Sequence, residues 1–269
     1  MQPPGGPPQI QLPNIKHLVA IASGKGGVGK STVSTNLALA LHKQGKRVGL
    51  MDADIYGPSI PIMLGLHVDA ATPDPVEKFG LKVMSMGFVL GPNQAAVLRG
   101  PMIHKYLSAF LTQVRWGDLD YLLVDLPPGT GDAQLSLSQT APLAGAVTVV
   151  TPQDVSLTVA RRGMEMFRQV RVPLLGVVEN MSYFIGEDGK RYELFGKGGG
   201  RKLAAEAQVP FLGEIPIDPR VAACGDAGEP IVQKVPDSPV AKAYLALATN
   251  LDQELARQPQ QRELPGLNL

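Results

Sequence analysis

The sequence has almost no cysteine. Cys224 is the single one in 269 residues, which excludes an internal disulfide and supplies too few thiolates for a self-contained zinc or iron–sulfur site. Charge of either sign is in no excess: 25 Lys and Arg stand against 24 Asp and Glu, a formal +1. No global field therefore draws the chain onto nucleic acid or anionic lipid. Long apolar runs are missing as well. Stretches such as residues 143–150 fall far short of the ~20 residues that a membrane span needs. No charged-then-apolar leader opens the sequence, so a cytoplasmic protein without a secretory signal is expected. His17, His42, His67 and His104 are scattered without metal-ligand spacing, and no G-x-S-x-G elbow occurs, which removes the simplest metal-hydrolase and serine-hydrolase readings.

What is present is the composition of a folded α/β chain. Hydrophobic residues at 44% and charged residues at 18% exclude a disordered protein. Residues 1–14 are rich in Pro, Gly and Gln and read as a flexible lead-in; residues 257–269 read as a fraying tail. Between them one domain is expected over 15–256. Short apolar strands are predicted at 17–22, 47–51, 81–86, 121–125, 146–151, 174–179 and 211–215. Helical patterns at 30–44, 102–114, 156–170, 198–207 and 239–254 separate most of them. Strands that are apolar throughout, alternating with helices, predict a three-layer α/β fold whose mostly parallel central sheet is covered on both faces. Met84, Met86, Met164, Met166 and Phe167 read as core filling, and Arg161 and Arg162 as a solvated helix face.

Gly24-Lys25-Gly26-Gly27-Val28-Gly29-Lys30-Ser31 matches G-x-x-x-x-G-K-[ST] at every fixed position, directly after an apolar strand and at the start of a helix. Glycines let successive backbone N–H groups turn toward one anion without a Cβ in its way. The helix that begins near Lys30 adds unpaired N–H groups and the positive end of its dipole. In this pattern Lys30 bridges β- and γ-phosphate oxygens and the Ser31 hydroxyl ligates Mg²⁺, with Thr32 closing the loop. The same residues also spell G-x-G-x-x-G, with Asp52 about where a dinucleotide fold places its ribose-binding acid. The Lys-Ser pair favours a triphosphate and a metal over that dinucleotide alternative.

Two strand ends carry carboxylates. Asp125 closes an apolar strand and is followed by Leu-Pro-Pro-Gly-Thr-Gly-Asp; a carboxylate there can face Ser31 across Mg²⁺. Asp52 and Asp54 follow residues 47–51 and share a side if the strand continues through both. One could then orient the attacking water while the other supports the metal.

Lys25, two positions before Gly27 in K-G-G-x-G-K-S, resembles the deviant loop of the dimerising ATPases that include MinD, ParA, ArsA and the nitrogenase iron protein. The blocks at 52–61 (DADIYGPSIP), 99–102 (RGPM), 125–132 (DLPPGTGD), 180–184 (NMSYF), 195–199 (FGKGG) and 213–218 (GEIPID) together resemble the Mrp/ApbC family over about residues 15–248. The resemblance implies ATP-dependent carriage and assembly of iron–sulfur clusters onto client proteins by a homodimer. It implies that Lys25 reaches the partner protomer's phosphates, that Asp54 supports hydrolysis, that Asp125 stands on the metal side, and that Asn180 reads the adenine edge. A MinD- or ParA-like positioning role is the rival; near-neutral charge and a C-terminal stretch without a basic amphipathic face speak against nucleic acid or membrane as its surface. Family members commonly carry C-x-x-C shortly after the NMSYF block, whereas residues 185–190 here read IGEDGK. At most a weak iron–sulfur contact through Cys224 is expected, because a dimer offers two such thiols against the roughly four a cluster takes.

Overall fold

The expected alternation of strand and helix is seen in a computed structural model, which describes residues 10–67, 74–89 and 100–258. The strands are β1 (Ile15–Ser23), β2 (Val48–Asp52), β3 (Val76–Lys78), β4 (Leu81–Ser85), β5 (Leu119–Asp125), β6 (Gly145–Val150), β7 (Leu174–Glu179), β8 (Phe184–Ile185), β9 (Arg191–Tyr192) and β10 (Phe211–Glu214). The helices are α1 (Lys30–Lys43), α2 (Ile60–Met63), α3 (Met86–Val89), α4 (Gly100–Thr112), α5 (Asp132–Thr140), α6 (Asp154–Gln169), α7 (Gly199–Glu206), α8 (Pro219–Asp226), α9 (Ile231–Lys234) and α10 (Pro239–Arg257).

Eight strands form one sheet in the order β10-β7-β6-β1-β5-β2-β4-β3. Every pairing is parallel except β3 with β4 at the edge. In β1 successive side chains leave opposite faces, as the period of two requires. Val19 and Ile21 enter a core with α1 and α10, whereas Leu18, Ala20 and Ala22 enter a second core with α4 and Phe167 of α6. A third cluster joins Val150 and Val177 to α6 and α7. Burial on both faces explains why these strands carry no polar alternation. Met84, Met86, Met164 and Phe167 are buried in these cores, as expected, while Arg161 and Arg162 are exposed. α10 starts at Pro239, with the Ser238 hydroxyl accepting the Ala241 N–H at 3.2 Å, which satisfies one orphan donor of its first turn.

The predicted boundaries shift by a few residues, and short elements appear that the pattern did not give: the edge strand β3, the separate β8–β9 hairpin, and helices α2, α3, α5, α8 and α9. Met86 leaves its strand to begin α3. Residues 1–9 of the expected lead-in, Arg99 of the RGPM block and residues 259–269 of the expected tail lie outside the described residues. Within the expected lead-in, Ile10 and Leu12 pack against the second core and the Ile15 N–H donates to the Leu12 carbonyl at 3.1 Å. Apolar residues two apart give that stretch one face to bury.

Candidate functional site: the phosphate loop and its carboxylates

β1, β2 and β5 end side by side at Ser23, Asp52 and Asp125, with Asp52 directly opposite Asp125 in the β2–β5 register. The crossover from β1 to β2 and that from β5 to β6 run in opposite directions along the sheet. Their divergence opens the crevice at the carboxyl ends of the strands where such sheets take ligands. The phosphate loop sits in that crevice, and Ser23 with residues 25–32 lines a cavity of ≈ 190 Å³ together with Asp54, Ser59, Met63 and Pro128. A larger concavity of ≈ 670 Å³ lies between α6 and α7, lined by Arg161, Glu206 and neighbours, and includes none of the phosphate-loop residues. Donor chemistry, not volume, picks out the smaller one.

The glycines of the loop do different work. A Cβ on Gly26 or Gly27 meets nothing within 4 Å, and Gly27 has φ +80°, so these two leave open space for an anion and allow the turn. Gly24 does not face that space. A Cβ there would lie 2.5 Å from the Ala160 backbone N and 2.6 Å from the Val159 carbonyl carbon, so its missing side chain admits α6. Beside the phosphate role that the sequence assigns to Gly24, the structure shows a packing role against α6. Gly24→Ala is therefore expected to destabilise the fold by about 1–3 kcal/mol, the usual cost of overpacking. Gly26→Ala should leave stability within about 0.5 kcal/mol, as surface changes do. Urea-unfolding midpoints of the two variants check the contrast.

Lys30, at the start of α1, points its ammonium into a nest of carboxylates. Its Nζ lies 2.7 Å from Asp125 Oδ2 and 4.0 Å from Asp54 Oδ2. The Ser31 hydroxyl donates to the same Asp125 oxygen at 2.6 Å, and the Ser34 hydroxyl donates to Asp125 Oδ1, also at 2.6 Å. Asp125 is fully buried, and this ammonium and these hydroxyls satisfy both of its oxygens. Ser34 was missed in the sequence. Its signal is the spacing of Lys30, Ser31 and Ser34, which share one face of a helix.

Asp52 and Asp54 do not act as the pair that strand periodicity suggested. β2 stops at Asp52, and Asp54 lies beyond it. The Asp52 carboxylate is fully buried and turned onto its own chain, accepting the Asp54 N–H (3.1 Å), the Ile60 N–H (3.3 Å) and the Ser85 hydroxyl (3.0 Å). It braces the segment leading into α2 and cannot meet a ribose, so the dinucleotide alternative loses its acid. Asp54, itself nearly buried, turns the other way, lining the cavity and accepting the Gly57 N–H at 3.3 Å.

Burial, and then the neighbouring Asp125, push the Asp52 pKa up to about 8 against the relief given by its hydrogen bonds and Lys30. Burial also raises that of Asp54, with Lys30 opposing. For Asp52 the folded chain holds a proton that the unfolded chain releases anywhere between the ordinary carboxyl value and about 8. Stability contributed by this group is thus full at low pH and is lost as pH rises through that window. His17, lowered by burial from 6.5, works in the opposite direction only below that value. From pH 6.5 to 8 the urea midpoint is expected to fall, and Asp52→Asn should flatten the fall. An equal slope in the variant would contradict the assignment.

The other expected residues lie nearby. Lys25 is half-exposed, with Nζ 3.5 Å from Gln153 Oε1 just before α6. Thr32 lines the cavity, and its carbonyl accepts the Asn36 amide at 2.9 Å. Asn180, just after β7, is buried and donates Nδ2 to the Val28 carbonyl at 2.9 Å. Cys224 is half-buried on α8 and packs against the first core. Among the described residues no group of three or more His, Cys, Asp or Glu side chains could hold a metal ion. A self-contained iron–sulfur site does not fit them.

Residues 14–252 match the family described as NUBPL iron-transfer P-loop NTPase. An iron-sulfur cluster carrier protein from Aquifex aeolicus is 51% identical over 251 residues, covering 90% of this chain and 69% of the relative. Among solved structures, a nucleotide-binding protein from Archaeoglobus fulgidus in complex with ADP superposes with a TM-score of 0.74 at 42% identity, covering 87% of this chain and 93% of that one. The cell division ATPase MinD from Pyrococcus furiosus superposes with a TM-score of 0.69 at 22% identity, covering 88% and 99%, and shares the fold.

Proposed function

The chain belongs to the NUBPL-type iron-transfer P-loop NTPases, and from that premise we propose that it binds and slowly hydrolyses ATP with Mg²⁺, as a homodimer that carries or assembles iron–sulfur clusters onto client apoproteins. The carrying observation is Lys30, held between Asp125 and Asp54 at the root of an open glycine loop. A triphosphate entering the loop offers the ammonium a denser negative charge than Asp125 does. Lys30 then exchanges partners, while Asp125 keeps its two serine hydroxyls.

Ser31 and Asp125 fit a hard cation, because their oxygens already converge within 2.6 Å, Ser31 at the cavity wall and Asp125 buried behind it. Mg²⁺ held there would neutralise charge developing on the β- and γ-phosphates. Asp54, at the cavity edge with its pKa raised by burial, orients the attacking water. No histidine or second carboxylate lines that cavity among the described residues, and slow turnover suits a switch whose conformational cycle is the output. Asn180 is assigned to the adenine edge and Lys25 to the partner protomer's phosphates. A lysine from each side offsets the repulsion between two triphosphates brought face to face.

The cargo is different. One half-buried thiol per protomer leaves a cluster short of ligands, so clients, assembly proteins or a small thiol complete its coordination. Cys224 contributes at most one weak contact. The reading places the protein in the cytoplasm with protein partners, not nucleic acid or membrane. Near-neutral charge supports this, and among the described residues no helix is long and apolar enough to cross a membrane.

Light scattering of an Asp54→Ala variant, with and without Mg²⁺-ATP, tests the dimer. ATP is expected to double the mass, and Lys25→Ala in the same background should return it to that of one protomer. One-protomer mass under every condition contradicts the reading.

A further inference from the structure

β7 stands two strands from β1, with β6 between them, yet the residue after it touches the phosphate loop. Glu179 ends β7 fully buried, its carboxylate accepting the Gly200 N–H and the Ser182 hydroxyl, each at 2.5 Å. The Asn180 backbone N–H donates across to the Val150 carbonyl of β6 at 2.8 Å. Held on both sides, the Asn180 side chain donates Nδ2 to the Val28 carbonyl at 2.9 Å. The fit is close: Gly29 has φ +77°, and a Cβ on it would lie 2.3 Å from that same nitrogen.

The Val28 carbonyl and the Gly29 N–H belong to one trans peptide, in which they point in opposite directions. A donor that fixes the oxygen on the Asn180 side therefore fixes the Gly29 N–H away from it. Gly29 is also the N-cap residue of α1 in the left-handed conformation, so this single contact governs the step from loop to helix. We propose that Asn180 is a positioning residue for the phosphate loop, holding the Val28–Gly29 peptide in its phosphate-binding orientation whatever base the ligand carries. The inference rests on the reading that the loop takes a triphosphate, and it adds to any contact Asn180 makes with adenine.

Inorganic tripolyphosphate separates the two roles, because it has phosphates and no base. Calorimetric titrations of wild type and Asn180→Ala with Mg²⁺-tripolyphosphate and with Mg²⁺-ATP are compared. Loss of one buried hydrogen bond, with its acceptor left unpaired, is expected to weaken tripolyphosphate about five- to tenfold. ATP should weaken by at least as much. Asn180→Asp keeps the shape but sets a carboxylate against the carbonyl, and should lose more of the tripolyphosphate affinity than Asn180→Ala. Asn180→Ser carries the same titrations if the alanine variant does not fold. Tripolyphosphate affinity unchanged in the variants, with ATP weakened, overturns the inference and leaves the triphosphate reading intact. A wild-type protein that binds neither ligand overturns both.

Discussion

Lys30→Ala is expected to lower affinity for Mg²⁺-ATP by about thirtyfold to several thousandfold. Removing a charged group that meets an oppositely charged ligand in a desolvated site costs about 2–5 kcal/mol, and 2.7 kcal/mol is already a factor of about a hundred. The ammonium is 6% exposed and its reach is set by α1, so no solvent-borne lysine can replace it. Its loss also leaves Asp54 and Asp125 to repel the incoming phosphates without a counter-charge. Wild-type affinity in the variant would remove the loop from the binding site.

The largest effect on stability is expected at Asp125. Asp125→Ala takes the near partner from Lys30, leaving a buried ammonium with Asp54 at 4.0 Å as its one remaining carboxylate and the Ser31 hydroxyl at 3.3 Å, and strips the acceptor from Ser31 while Ser34 keeps only the Lys30 carbonyl. Breaking one side of a buried ion pair typically costs about 3–5 kcal/mol. The pair is 6% and 0% exposed, so solvent does little to soften the loss. Asp125→Asn keeps the shape and one acceptor and should cost less, nearer the ~1–3 kcal/mol of an impaired buried hydrogen bond. Urea unfolding of both variants without nucleotide measures this. An alanine variant within about 1 kcal/mol of wild type would mean that the ion pair contributes little.

The phosphate loop was legible because its whole signal is contiguous: glycines, a lysine and a serine between one strand and one helix. The central strands were legible because burial on both faces leaves them apolar throughout. The remaining features depend on partners distant in the chain. Nothing near Gly24 announces the backbone of Val159 and Ala160, and nothing near Asn180 announces a carbonyl 152 residues earlier. Asp52 and Asp54 looked equivalent until the end of β2 separated them, one turned onto its own backbone and one onto the cavity. Strands as short as β3, β8 and β9 carry too few residues to show a period. Ile10 and Leu12 pack because a core face lies beside them, which composition alone does not reveal.

The account centres on a nucleotide cycle at Lys30 that serves cluster delivery. Its most direct test is anaerobic activation of an apo iron–sulfur enzyme by the purified chain supplied with iron, sulfide and a small thiol, followed with and without Mg²⁺-ATP. Faster activation with ATP for wild type, lost in Lys30→Ala, is the predicted result. Activation that ignores both ATP and the chain, from a protein that still hydrolyses ATP, would contradict it.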